Sequence, residues 1–466
     1  MDAALHYRSL TDLSDALRRR DLSSVDVTRA LLDRIAAAEP QTLSYVTVMA
    51  DAAMAQARAA DEETARGDWR GPLHGVPIAL KDLCFTTNAP TTAGMTILKD
   101  FVPDYEATVV ERLNAAGAVT LGKLKMTEGA GGDHHPDIPP PRNPWNPDYW
   151  TGASSSGSGV ATAAGLCFGS LGSDTGGSIR FPSSACGITG IKPTWGRVSR
   201  HGIFTLADSL DHIGPMARSA ADAAAILGVI AGDDPNDPST LTAPVPNYLA
   251  GLEGGVRGLR IGVDETYNGE GADSQIMAAL GEVRHVLTGL GAEFKSVEFP
   301  ASRQMAVATG MAAMGAEIAA AHRDFFPARA AEYGQMLAGM IAQGLKLSPT
   351  DMADAGRVRR NFCGQFERLW ADIDLLLVPA MPMTVPTMET MRAKVHDMVF
   401  MGELVRFTVP FDLTGSPTIT LPCGFSADGL PLGFQLVGPY LSEDLLCRAG
   451  HAFQQATDWH LRHPDL

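Results

Sequence analysis

Cysteine is scarce in this 466-residue chain: six residues (Cys84, Cys167, Cys186, Cys363, Cys423 and Cys447), scattered and without a C-x-x-C pair. That spacing argues against a zinc or thioredoxin-like site and for isolated buried thiols. Positive charge is also short, with 37 Lys and Arg against 53 Asp and Glu and a formal net charge of −16. No basic run exceeds Arg18–Arg20, so a surface that grips a phosphate backbone is excluded and no nucleic-acid partner is expected. No stretch of about 18 apolar residues occurs, so no span of a bilayer is expected. The start, MDAALHYRSLTDLSDALRRRDLSS, has no basic segment leading into an apolar one. The expectation is therefore a reduced, cytoplasmic protein without a signal peptide or membrane association. Internal repeats and low-complexity linkers are absent too, which favours one large domain over residues 1–466.

What is present is ordinary globular material, with 45% hydrophobic and 19% charged residues. Glycine (48 residues) concentrates between Gly152 and Gly202. Residues 8–66 read as a helical segment, with Thr11 and Ser24 as caps ahead of apolar residues at helical spacing. The pattern then changes. Residues 76–80 read as a short buried strand ending at Lys81, 107–116 as a helix and 118–121 as a strand. The proline-rich stretch 133–147 fits neither element. Further on, helices are expected at 159–166, 220–231, 273–290 and throughout 302–345, and after Ser442. Strands are expected at 260–263, 374–378 and 417–422. Such alternation points to an α/β architecture with helices on both faces of a sheet.

An enzyme that attacks an amide carbonyl needs a nucleophile, a base to take its proton, and donors aimed at the developing oxyanion. Ser178 sits in GSDTGGSIRFPSS, where Gly176 and Gly177 allow a turn that points successive N–H groups into one concavity. Losing one donor from such a hole costs ~2.7–4 kcal/mol in the transition state. The base is less evident. No histidine lies in this segment, although His74 or His201 could approach it in space, and no G-x-S-x-G elbow occurs anywhere. Lys81, closing an apolar strand, is a better candidate, provided burial brings its pKa from about 10.4 towards ~7. The residues alone leave these bases as rivals.

The stretches GPLHGVPIALKD, TGASSSGSGVATAAG and GSDTGGSIRFPSSACGITGIKPTWGRVSRHG resemble the blocks of the amidase signature family. The likeness continues in DSLDHIGPMARSAADAA, DLLLVPAMP and GSPTITLPCGFSADGLPLGFQLVG, in the family's order. The resemblance implies a single α/β/α sandwich around a mixed, mostly parallel twisted sheet, with its signature core at about 71–220. It also implies a Ser–cis-Ser–Lys triad. Ser178 matches the acylated nucleophile, Lys81 the base, and Ser154 the bridging serine that follows a cis peptide bond. Ser154 lies 24 residues (178 − 154) before the nucleophile, the family's spacing. The oxyanion donors would be the backbone N–H groups of Thr175, Gly176, Gly177 and Ser178. One departure stands out. The family usually has Gly-Gly-Ser-Ser-Gly-Gly, whereas this chain has Gly152-Ala153-Ser154-Ser155-Ser156-Gly157.

Around these residues, Asp174 and Arg180 read as a buried pair bracing the loop. Ser155 is open between bonding the triad and capping the helix that follows. Asp133, His134, His135 and Asp137 invite a metal reading, but adjacent histidines diverge and the chemistry needs no metal or other cofactor. Gly157-Ser158-Gly159 lacks both the preceding strand and the full pattern of a dinucleotide loop. Methionine-rich segments at 305–314, 336–340 and 381–401, with Phe400 and Phe407, read first as packing and second as an adaptable apolar pocket. Glu128, Gly131, Gly132, Ile203 and Phe204 are the candidate pocket residues near the nucleophile. The leading expectation is an amidase acting on a small or medium carboxamide with an aryl or apolar portion, with carbamates and esters as extensions. The rival is the glutaminase subunit of a tRNA-dependent amidotransferase, and a non-catalytic binding protein on the same fold comes third. Oligomeric state is not legible; a homodimer is the common prior.

Overall fold

The computed structural model describes residues 5–466, and one eleven-stranded sheet runs through it. In chain order the strands are β1 Tyr45–Val48, β2 Pro77–Lys81, β3 Val119–Leu124, β4 Gly169–Asp174, β5 Thr189–Lys192 and β6 His212–Ala217. They continue with β7 Arg260–Val263, β8 Glu293–Ser296, β9 Leu375–Pro379, β10 Thr418–Phe425 and β11 Pro431–Val437. Their order across the sheet is β1-β3-β2-β4-β6-β5-β10-β11-β9-β7-β8.

The α/β class and the mixed sheet are as expected, but the balance within the sheet is not. Six of the ten pairings are antiparallel and four parallel. Helix–strand alternation predicts parallel crossovers. It does not register the β10–β11 hairpin, or β6 doubling back between β4 and β5. Helices cover both faces, which β9 makes visible through period-two alternation. Leu375 and Leu377 pack into one buried cluster, Leu376 and Val378 into another.

The amino-terminal segment departs from the helical reading at one place, the short edge strand β1, which pairs antiparallel with β3. Its helices, Leu10–Arg18 and Ser24–Thr42, are capped one or two residues earlier than expected: Ser9 and Ser23 accept from the N–H groups of Asp12 and Asp26. The two expected caps are used to dock the helices instead. Thr11 donates through its N–H and its hydroxyl to Asp222, and the Ser24 hydroxyl donates to the Gly75 carbonyl. The expected helix at 159–166 lies at Ser156–Ala163. The long stretch 302–345 is two helices, Arg303–Ala321 and Gln335–Gly344, separated around Pro327, which has no N–H to continue a helical ladder.

What places the site is the order β3-β2-β4. These three strands run parallel, so their carboxyl ends lie side by side, the usual ligand position in such sheets. Lys81 ends β2 and Asp174 ends β4. Asp82 turns away from Lys81 and pairs with Lys123 of β3 at 3.1 Å, both side chains being buried. Breaking a buried pair leaves one charge uncompensated, so Asp82→Ala is expected to lower the unfolding free energy by about 3–5 kcal/mol in urea denaturation. Replacing both partners with apolar residues is expected to cost less than this single change.

Candidate active site

Lys81 is fully buried, and its Nζ donates to three hydroxyls: Ser154 Oγ at 2.7 Å, Ser155 Oγ at 3.0 Å and Ser173 Oγ at 2.7 Å. Ser173 belongs to β4, parallel to β2, so both come from the sheet itself. Ser154 and Ser155 precede the helix Ser156–Ala163, and the peptide bond between Ala153 and Ser154 is cis. The three hydroxyls match the three hydrogens of an ammonium ion. Burial nevertheless disfavours the charged form and pushes the Lys81 pKa down to about 7, against the opposing pull of Asp174, Cys84 and Asp211. Once a proton leaves, one hydroxyl must donate to Nζ in its place. Ser155 is not free to do so, because its own proton goes to the Ser173 carbonyl at 3.1 Å. Ser155 therefore touches Lys81 rather than capping the helix.

Ser178 lies in the turn between β4 and the helix Arg180–Cys186. Its carbonyl accepts the Ser155 N–H at 3.3 Å, which ties the two serine segments together. The Ser178 side chain is half-buried, and its hydroxyl makes no hydrogen bond to any described residue. Asp174 organises this turn. Its carboxylate accepts the N–H groups of Gly177 (2.7 Å), Ile179 (2.9 Å) and Arg180 (3.3 Å) and the Arg180 guanidinium (2.7 and 3.0 Å). Burial alone would raise the Asp174 pKa; the Arg180 charge and these bonds outweigh it and hold the carboxyl well below the usual range. The Asp174–Arg180 brace expected from sequence is thus present, with Asp412 as a second carboxylate on Arg180 at 2.6 Å.

The oxyanion-donor expectation needs one correction. The Gly177 N–H is committed to Asp174 and is not open to a substrate, whereas the N–H groups of Thr175, Gly176 and Ser178 donate to no described residue. Gly177 is required here for its backbone: φ is +130°, and a Cβ would run into the Phe181 ring. The Thr175 hydroxyl is fixed on Asp211 at 2.6 Å, while burial raises the Asp211 pKa to about 6.

Neither rival histidine reaches the site. His74 bonds the Ala60 carbonyl near the amino-terminal helices, and the His201 ring stacks on Tyr105. His134 and His135 diverge, to Ser156 Oγ and to the Glu332 carbonyl. Among the described residues, no group of three or more His, Cys, Asp or Glu is placed to hold a metal ion.

The pocket candidates divide. Gly131 and Gly132 lie under Leu337, Met340 and Met336 of the helix Gln335–Gly344, next to Thr127, whose N–H donates to the Ser154 carbonyl. Phe204 packs edge-on against His322. Glu128 is not open: it is buried, and its carboxylate accepts the Gly334 N–H at 3.0 Å. Ile203 is also buried, bridged to Cys84. Phe407 is core, packed on Tyr267, because an aromatic cluster of Tyr267, Phe299, Phe362, Phe366 and Phe411 fills that face. The sequence reading missed Ser173, Thr408 and Asp412. Only Ser173 carried a signal, as a small polar residue two positions into the GSDTGGS run.

The site thus brings together a buried amine among hydroxyls and a glycine turn with free N–H groups. The profile of the family described as Amidase matches residues 26–447. The chain is 50% identical over 463 residues to the Mycobacterium tuberculosis protein named "Putative amidase AmiD", covering 99% of this chain and 97% of that one. It is 40% identical to a glutamyl-tRNA(Gln) amidotransferase subunit of Roseiflexus sp. strain RS-1, covering 99% of each. The solved peptide amidase of Stenotrophomonas maltophilia superposes with a TM-score of 0.84 at 30% identity, covering 98% of each chain. The protein belongs to the amidase family and is a hydrolase acting on amide C–N bonds. No helix among the described residues is long and apolar enough to cross a membrane.

The electrostatics of Lys81 can be read directly. In side-chain amine NMR of 15N-lysine protein, one resonance, absent in Lys81→Met, is expected to titrate near pH 7 rather than near 10.5. Titration in the ordinary lysine range would show that the amine is not desolvated.

Proposed function

We propose that the protein is a stand-alone amidase in which Ser178 attacks the carbonyl carbon and forms a seryl acyl-enzyme. Neutral Lys81 accepts a proton from Ser154, and Ser154 accepts the proton of Ser178 as that oxygen bonds to carbon. The same relay, run backwards, protonates the departing amine. Water, activated along the same path, then releases the acid. Free N–H groups of Thr175, Gly176 and Ser178 are the donors for the oxyanion. The observation that carries this reading is the Lys81–Ser154 contact of 2.7 Å at the end of β2, with a lysine whose pKa is brought to about 7. No step needs a cofactor.

The substrate class is a small to medium carboxamide with an aryl or apolar portion. What supports it is the methionine and leucine cover, Met336, Leu337 and Met340, over Gly131 and Gly132 beside the serine loop. Flexible thioethers adapt to apolar shapes without demanding hydrogen-bond partners. Carbamates and esters pass through the same kind of oxyanion and extend the range to urethanase or aryl acylamidase activity. A second reading, the glutaminase subunit of a tRNA-dependent amidotransferase, is favoured by the 40% identity across the full length of one such protein.

One purified preparation, assayed on p-nitroanilides, aliphatic amides, carbamates and glutamine, separates the two readings. Turnover of anilides without partner subunits supports the first, and strict glutamine dependence supports the second. Ser178→Ala is expected to abolish hydrolysis; wild-type rates in that variant would overturn the assignment. Because Lys81 works only when neutral, kcat/KM is expected to fall about tenfold per pH unit below about 7 and to level off above it. A profile flat from pH 5 to 9 would remove Lys81 from the role of base.

A further inference from the structure

The nucleophile turn is held from two sides, and one side comes from a distant part of the chain. Thr408, fully buried just before the short helix Val409–Leu413, donates its hydroxyl to the Gly176 carbonyl at 2.6 Å. The Thr408 carbonyl in turn accepts Arg180 Nη1 at 2.8 Å. Val409 lies against Gly176 as well, 3.5 Å from where a Cβ would stand. On the other side of the same peptide, the Gly177 N–H is bound by Asp174 at 2.7 Å.

Both polar groups of the Gly176–Gly177 peptide therefore have partners, the Gly176 carbonyl lying closer to the Thr408 hydroxyl than its other acceptor, the Val405 carbonyl at 3.1 Å. This matters because a peptide between two glycines has almost no steric preference for one orientation of its plane. This peptide stands between the two that carry the free N–H groups, Thr175–Gly176 and Gly177–Ser178, so fixing it leaves φ of Gly176 and ψ of Gly177 as the rotations that could still turn them. A donor serves an oxyanion only if it is aimed before the charge develops, so freedom in this plane is lost stabilisation.

We propose that Thr408 is a positioning residue for the reaction. Its hydroxyl locks the Gly176–Gly177 peptide against Asp174, and thereby aims the free N–H groups of Gly176 and Ser178 at the tetrahedral oxyanion. Thr408 does not touch substrate. It rests on the reading of Ser178 as nucleophile, and the two can fail separately.

The test is substitution of Thr408 with three readouts: steady-state kinetics, melting temperature, and the rate of labelling by a fluorophosphonate, whose adduct places an oxygen in the same hole. Thr408→Val keeps shape and removes the hydroxyl. It is expected to lower kcat about 10- to 100-fold, with KM changed less than about threefold, and to slow labelling in proportion. Thr408→Ser, which restores the hydroxyl, is expected to recover most of the rate. Should the valine variant not fold, the pair Thr408→Ser and Thr408→Ala decides, since both lose the methyl and only the alanine loses the hydroxyl. Equal kcat in that pair, or a folded valine variant with wild-type kcat and labelling, overturns the proposal while Ser178 is still labelled. Absence of label on Ser178 in the wild-type protein overturns the reading of the site itself.

Discussion

Everything at this site turns on removing one amine from water. An exposed lysine is charged at neutral pH and offers no lone pair, so a lysine serves as a base only where burial removes its proton. The sheet supplies that burial: Lys81 closes the inner strand β2, with β3 on one side and β4 on the other. Hydroxyls rather than carboxylates take the place of water around Nζ, which satisfies its hydrogens without fixing its charge. A carboxylate in direct contact would have held the proton on.

The carboxylates nearby are instead spent elsewhere. Asp174 is consumed by Arg180 and three backbone N–H groups, and Asp211 by Thr175, Leu206 and Ala207. Their charges still reach Lys81 through space and raise its pKa somewhat, but desolvation prevails. Behind the turn, Arg180 carries both Asp174 and Asp412, so one guanidinium serves two buried carboxylates. The pKa of Asp412 is pushed well up by burial, with Arg180 opposing, so this carboxyl is held far less firmly in its charged form than Asp174. The turn around Ser178 is thus braced by residues more than 200 positions away in the chain.

How much of this could be read in advance follows from the range of each interaction. Strand β2 and the turn around Ser178 are local patterns, an apolar run ended by a lysine and a serine after two glycines. The pairing of Lys81 with Ser154 was legible only through the spacing of whole blocks, since nothing local joins them. Thr408 and Asp412 sit in VRFTVPFDLTG, where neither has a local reason to be singled out. The caps show the same limit at short range. Ser9 and Thr11, or Ser23 and Ser24, are chemically equivalent candidates, and tertiary partners, Asp222 and the Gly75 carbonyl, decide which hydroxyl caps and which docks. The antiparallel majority in the sheet escaped because only 417–422 reads as a strand in that region, which leaves β11 and the hairpin it closes out of the alternation.

The departures from the family's glycine-rich serine cluster have a common physical account. Ser156, standing where glycine is usual, bonds His134 Nε2 at 3.2 Å. Burial, with the charge of Lys125, pushes the pKa of His134 down to about 3, so this is a neutral contact that adds no charge near Lys81. It fastens the proline-rich stretch after β3 to the first turn of the helix that carries the serines. Ala153 puts its methyl against the cluster containing Trp150 and Phe181, and Phe181 is the ring that confines Gly177. Both substitutions therefore act on the serine loop, Ser156 by a hydrogen bond to the proline-rich stretch and Ala153 by packing towards Phe181. A glycine at either position would leave Lys81, Ser154 and Ser178 chemically intact. What it would remove is one restraint on the serine loop, the tie to the proline-rich stretch at Ser156 or the packing towards Phe181 at Ala153. In the proposed relay, where Lys81 and Ser178 are joined only through Ser154, the placing of that loop has to be built into the surrounding structure.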